Sequence, residues 1–296
     1  MVTYVVDLKK LMKITGRFLR KHDVPEHFSK SKNEQYSLHQ MLVLLVLCCL
    51  MDTRIDCFGE WIKLMDLSGI GLKKAPHYST MWRAWRRFPQ RFLRKLVRLS
   101  GRGGRDKCIA IDPTHFEITK PSTSYCKRTK RNIMQETNRK TTIATGTRSL
   151  RIIDAYIAKD CHRHGLDDFE KMADTWIQNK TIVADTEFDA EARFHEVIIK
   201  FGGKGVAPLR HKGIPLWRTN GARRKELRRN WPGRSYHRRP MAETLNSMLK
   251  RGMSAYLRRR TVWQQARHFY GKCLAHNLKM RCQPSTCKQA HKASKR

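Results

Sequence analysis

The sequence predicts an α/β fold, a mixed five-stranded sheet flanked by helices, preceded by an all-helical amino-terminal region. Three observations predict it. Residues up to about 100 carry apolar side chains at helical spacing, Gly101-Arg-Gly-Gly-Arg105 interrupts that pattern, and short apolar runs then alternate with amphipathic stretches. Such alternation builds one sheet covered by helices on both faces. The expected parts are residues 1–100, residues 105–280 and a basic tail at 281–296. At 296 residues the chain can bury a substantial core.

In the first part, residues 5–21 form a basic amphipathic stretch, followed by a polar loop at 29–34. Ser37 is an N-cap for an apolar helix over 38–51. The run from Met41 to Met51 is eleven residues, whereas a membrane span needs about 20, so it reads as a core helix. A helix over 56–65 and a turn at Gly69, Gly71 and Pro76 precede a helix that starts at Ser79. That helix sets Trp82, Trp85 and Phe88 three apart, with Arg83, Arg86 and Arg87 on other faces. A helix-turn-helix DNA-binding unit and ordinary helical packing both fit this pattern.

In the second part, residues 107–112 are an apolar strand that ends at Asp112, with Pro113 and Thr114 as its terminators. A basic loop at 125–131 leads to strands at 141–147 and 150–158, paired as a hairpin. Asp167 and Asp168 open a helix over 168–178. Residues 180–185 are a strand ending at Asp185, and Asp189 caps a helix over 190–201. A fifth strand at 205–209, a basic connection at 210–235 and a last helix over 254–280 complete the order. Strand, strand, strand, helix, strand, helix, strand is the order of an RNase H-like fold.

Charge is the dominant compositional signal: 62 Lys and Arg against 25 Asp and Glu give a net +37. A polyanion is the natural partner, because each phosphate neutralised releases condensed counterions. Nine scattered cysteines read as free thiols in a reducing compartment rather than a disulfide frame. Cys282 and Cys287, with His276 and His291 near them, lie in a polar tail that argues against zinc. Charges at Asp7, Lys9 and Lys10 precede any apolar block, so no secretory leader is expected and a cytoplasmic, nucleoid-associated setting is.

The chemistry points to carboxylates. Two apolar strands end in Asp112 and Asp185, 73 residues apart, and reacting groups in open α/β sheets gather at strand carboxyl ends. A third carboxylate, Glu243, stands in a basic stretch: the sixteen Lys and Arg of residues 210–260 face only Glu226 and Glu243. Three converging carboxylates repel one another, and a hard divalent cation relieves that repulsion. Mg²⁺ suits such oxygen ligands, as does Mn²⁺, and a pair of ions can clamp both oxygens of a phosphoryl transfer. Asp154, Asp160, Asp167 and Asp189 compete with Asp185; Asp189 reads as a cap, and Asp154 and Asp160 flank a strand without the apolar run that precedes Asp185. His162 and His164 read as solvated loop residues. Trp217 and Trp231, set among arginines, fit stacking on unpaired bases and packing of the basic loop equally.

Tyr236, Arg239, Glu243 and Lys250 stand at the spacing Tyr, two residues, Arg, three residues, Glu, six residues, Lys. This resembles the Tyr-Arg-Glu-Lys signature of insertion-sequence transposases of the DDE class. Ile111-Asp-Pro-Thr-His-Phe116 looks like that family's first block, and Ala184-Asp-Thr-Glu-Phe-Asp-Ala-Glu191 looks like its second. Pro113 stands where the family more often has Ser, and Glu187 and Phe188 where it usually has a small residue and Tyr.

The resemblance implies that Asp112, Asp185 and Glu243 are catalytic metal ligands of an RNase H-like domain. It also implies that Arg239 and Lys250 contact phosphates of the transposon end, with Arg238 in the same DNA-binding set and Tyr236 near the cleaved end. Implied with it are a two-metal mechanism of strand cleavage and strand transfer, transposon-end and target duplex DNA as partners, and a homodimer in the synaptic complex. The alternatives are an RNase H-like nuclease without strand transfer and a non-catalytic DNA-binding protein derived from a transposase. Pro240 fits the first turn of a helix that puts Met241, Leu245, Met248 and Leu249 towards the core, with Tyr236 and Arg239 in its approach.

Overall fold

The computed structural model describes residues 7–28, 35–118, 127–128, 138–159, 162–210, 213–258 and 261–282. The loop at 29–34, most of the basic loop at 125–131, Asp160, Cys287 and His291 lie outside the described residues. The chain splits into two compact units, Met1–Ser100 with Tyr270–Arg296, and Gly101–Phe269.

The first unit contains only helices among its described residues. Helix α1 (Leu8–Lys21) starts at Asp7, whose carboxylate accepts the Lys10 N–H at 3.0 Å, and buries Leu11, Met12, Phe18 and Leu19. Helix α2 (Leu38–Met51) opens with a reciprocal cap: Ser37 Oγ accepts the Gln40 N–H at 3.1 Å, and Gln40 Oε1 accepts the Ser37 N–H at 2.8 Å. Ten of its fourteen residues are buried, as its unbroken apolar run requires. Helices α3 (Ile55–Trp61), α4 (Tyr78–Arg87) and α5 (Gln90–Gly101) follow. On α4, Trp85 is buried and donates its indole N–H to Met41 O at 3.0 Å, while Trp82 faces outward beneath the Arg86 guanidinium. Among the described residues, no helix is long and apolar enough to cross a membrane.

The second unit is built on a six-stranded mixed sheet, one strand more than the sequence predicts. Its order is β3 (Ile152–Ile157), β2 (Asn138–Gly146), β1 (Cys108–Ile118), β4 (Thr181–Val183) and β5 (Lys204–Val206), with β6 (Tyr256–Leu257) also paired to β1. β1, β2 and β3 are antiparallel neighbours, whereas β4, β5 and β6 join in parallel. The hairpin turn between β2 and β3 is tied down by Asp106, which accepts the N–H groups of Arg148 (2.7 Å) and Ser149 (2.9 Å) and the Ser149 hydroxyl (2.6 Å).

Strand alternation sends side chains to two covered faces. Ile109, Ile111, Ile182 and Ala184 enter one core with Phe169, Phe188 and Phe194. Cys108, Ala110 and Val183 enter the other with Val206, Leu227 and Ala242. The first face carries α6 (Gly165–Met172) and a π-helical turn (Glu191–Glu196) that runs into α7 (Val197–Lys200). The second carries α10 (Pro240–Met253), which α8 (Ala222–Arg229) and α9 (Gly233–Tyr236) precede. Helix α11 (Val262–Cys282) closes the described chain.

Four local expectations need correction. Pro113 does not end β1, which continues to Ile118; the β4 pairing stops at Ala110, so no strand on that side needs the N–H that proline lacks. The last helix begins at Val262, not 254, because residues 256–257 are drawn into the sheet. The helix after β3 starts at Gly165 under a His164 cap (Nδ1 accepts the Leu166 N–H at 3.3 Å), and Asp168 is buried against the Thr142 hydroxyl at 3.0 Å. Asp189 caps no helix: it pairs with Arg224 at 2.7 and 2.8 Å and accepts the Arg210 N–H at 2.9 Å.

Candidate active site

Site geometry follows from the parallel register. Cys108, Ile109 and Ala110 face Thr181, Ile182 and Val183, each pair 73 residues apart. Asp112 and Asp185 share the same 73-residue offset two residues beyond the last paired residues, and the charge of Asp185 acts on Asp112. Both continue the alternation that sends Ala110 and Val183 to the α10 face. Beyond Val183 the chain turns into a 3₁₀ turn (Thr186–Phe188), and Asp185 caps it by accepting the Glu187 N–H at 3.0 Å.

Helix α10 lies over this edge. It buries Ala242, Leu245, Asn246, Leu249 and Met253, a face rotated from the expected Met241, Leu245, Met248 and Leu249. Although Arg239 precedes a proline, it already has helical angles (φ −55°, ψ −41°). Arg239 is therefore in helical phase with Glu243 and donates to its Oε1 at 2.6 Å, which the expected irregular approach did not provide. The second guanidinium nitrogen stands 3.5 Å from Asp112 Oδ1. Asn246 donates its amide to Asp112 Oδ2 at 2.8 Å. Lys250 donates to Thr114 Oγ1 at 2.6 Å, with its ammonium 5.7 Å from the Phe116 ring centre.

The electrostatics are those of buried acids with acidic neighbours. Burial pushes the Asp112 carboxyl up to about 6; the Arg239 charge opposes this, and the charges of Asp185 and Glu243 add to it. Asp185 is raised by burial and by the Glu187 charge, against the Glu187 N–H, Arg239 and Lys140. Burial lowers Lys250, against Asp112 and Glu117. Glu187, despite its burial, is held below the usual range by the Gly165 N–H (2.7 Å) and Lys140 (3.1 Å).

The structure thus brings Asp112, Asp185, Glu243 and Arg239 into one electrostatic group. Tyr236 is half-buried beside the core that holds Ala110 and Val183, its ring 5.1 Å from Trp231. Arg238 is exposed. Trp217 is 74 % exposed and lies under the Arg218 guanidinium. The residue types fit a hard divalent cation, since carboxylate oxygens suit one and its charge would offset both the burial and the neighbouring acids that raise Asp112. As the side chains stand, no three His, Cys, Asp or Glu among the described residues cluster closely enough to hold one, and Glu243 is turned onto Arg239.

Sequence reasoning missed Asn246 and the role of Lys140. An Asn in step with Ala242, Leu245 and Leu249 was the available signal for the first. Lys140 sits 47 residues before Glu187, and only the fold brings them together.

The family model of the transposase DDE domain matches residues 103–278, more than half of the chain, and the chain belongs to that family. No curated protein and no solved structure matches.

Proposed function

We propose that this chain is a DNA transposase that cleaves strands at insertion-sequence ends and joins the freed ends to target DNA. The observation that carries the reading is the convergence of three carboxylates: Asp112 on β1 feels the charges of Asp185, just past the end of the neighbouring parallel strand β4, and of Glu243 on α10. The strand order 3-2-1-4-5 supports an RNase H-like fold for the catalytic unit.

In this reading Asp112, Asp185 and Glu243 hold Mg²⁺ or Mn²⁺. A pair of such ions supplies charge neutralisation at the phosphate and a nucleophilic oxygen at neutral pH. The chain's own residues do the rest. Arg238, Arg239 and Lys250 neutralise backbone phosphates of the transposon end, and Tyr236 packs beside the cleaved end. Arg239 also tempers the repulsion between Asp112 and Glu243, which lets two acids share a half-buried site. The helical unit binds DNA through the exposed α4 side chains Trp82, Arg83, Arg86 and Arg87. Double-stranded DNA is the partner, and a homodimer brings two ends together.

The test is strand joining. Purified protein, Mg²⁺ and a duplex bearing the inverted repeats that bound its reading frame should yield products covalently joined to a target plasmid. Cleavage without joining would favour a nuclease, and binding without cleavage a non-catalytic DNA-binding protein.

A further inference from the structure

Asn246 lies on the buried face of α10 among Ala242, Leu245, Leu249 and Met253, and is 6 % exposed. A helix packing on a sheet gains nothing from an amide there unless the amide has a partner. Its Nδ2 has one, Asp112 Oδ2 at 2.8 Å. Its Oδ1 is buried and meets no donor among the described residues. Half of the amide is therefore bonded and half is carried at a cost, which is unusual in a packed interior and more common where a group serves a site.

The two oxygens of Asp112 are held differently. Oδ2 is fixed by the neutral amide, and Oδ1 is the oxygen near the Arg239 guanidinium. A neutral donor orients a carboxylate without cancelling its charge, so the carboxylate stays available to a cation. Arg or Lys in the same place would compete with the cation for that charge. Reversing the amide would turn its carbonyl oxygen onto the carboxylate, so the Asp112 contact also fixes which way Asn246 points.

We propose that Asn246 is a positioning residue that locks the Asp112 carboxylate through Oδ2 and thereby sets the divalent-cation affinity of the site. This rests on the reading of Asp112 as a metal ligand. Acting through the ligand it bonds, Asn246 should affect metal affinity by the ten- to hundredfold typical of outer partners.

The experiment is a Mn²⁺ titration of the full chain without DNA, followed by calorimetry, with a thermal melt of each variant. Asp112→Asn should weaken Mn²⁺ binding. Asn246→Leu, similar in size, should weaken it about ten- to hundredfold while the melting temperature holds or rises. The double variant should bind no more weakly than Asp112→Asn alone, because Asn246 acts only through Asp112. If Asn246→Leu does not fold, Asn246→Ala carries the same expectations. Unchanged affinity in the Asn246 variant, or losses that add in the double variant, would overturn the proposal. Unchanged affinity in Asp112→Asn would instead overturn the metal reading, and the role of Asn246 would fall with it.

Discussion

Asp112 and Asp185 feel each other's charge: the 73 residues between them equal the register offset of β1 and β4, and Asp185 stands two residues past the end of β4 as the cap of a 3₁₀ turn. Two apolar runs, each followed by an acid, produce the pair once the strands align. Asp112 is then held half-buried beside Asp185 and Glu243, where its ionised form is disfavoured.

That tension has a pH signature. The Asp112 carboxyl is raised from an ordinary 3.8 to about 6. Between those values the native chain holds a proton that the unfolded chain has lost, so this group lowers stability as pH rises through that window. Asp112→Asn should therefore stabilise the chain at pH 7.5, by up to about 3 kcal/mol, and have little effect near pH 4. Urea unfolding of both forms at the two pH values checks it, and a gain of equal size at both would contradict it.

His195 gives the opposite slope. It is fully buried, neither ring nitrogen has a hydrogen-bond partner among the described residues, and burial lowers it from 6.5 to about 4, an effect that the charges of Glu191 and Asp189 oppose. The unfolded chain takes up a proton below about pH 6.5 that the native chain refuses until about pH 4, so stability falls as pH falls through that range. His195→Leu should remove up to about 3 kcal/mol of this acid sensitivity. Parallel melts at pH 7 and pH 5 measure it, and an unchanged pH 5 deficit would refute it.

Asp189 ties the turn after Asp185 to the basic helix α8. Its side chain is 1 % exposed and bonds Arg224 through both oxygens. Removing one partner strands the other, so Asp189→Ala should cost about 3–5 kcal/mol. A double-mutant cycle with Arg224→Ala should show coupling above about 1 kcal/mol, and additive effects would dismiss the pair as incidental.

Arg238, Arg239 and Lys250 are the proposed phosphate contacts. Each alanine variant should weaken DNA binding across sequences and reduce the slope of log K against log salt by about 0.9. Filter binding over a range of salt reads it. A slope unchanged in all three would remove them from the DNA surface.

The sequence made some of this legible and hid the rest for physical reasons. Asp112 and Asp185 were visible because apolar strand runs are local signals, and the site edge follows from where they end. Glu243 stood out as an isolated acid in a basic stretch. Proline chemistry is local too, and it misled at Pro113, because the loss of the β4 neighbour there depends on the whole sheet. The two-residue β6 has no periodicity and exists only by pairing with Glu117 and Ile118. Asp189 resembled a cap because its partner Arg224 lies 35 residues on. Asn246 was hidden by its own chemistry: an amide reads as surface until Asp112 is placed beneath it.

Glu243 is the residue on which loss of cleavage and loss of binding separate. Its carboxylate is more than half exposed and packs into neither core, so Glu243→Gln should leave the fold intact. With Mg²⁺ and a duplex carrying the transposon end, Glu243→Gln should bind DNA as tightly as the parent or more tightly, while metal-dependent strand cleavage is lost. Full cleavage by Glu243→Gln would contradict it.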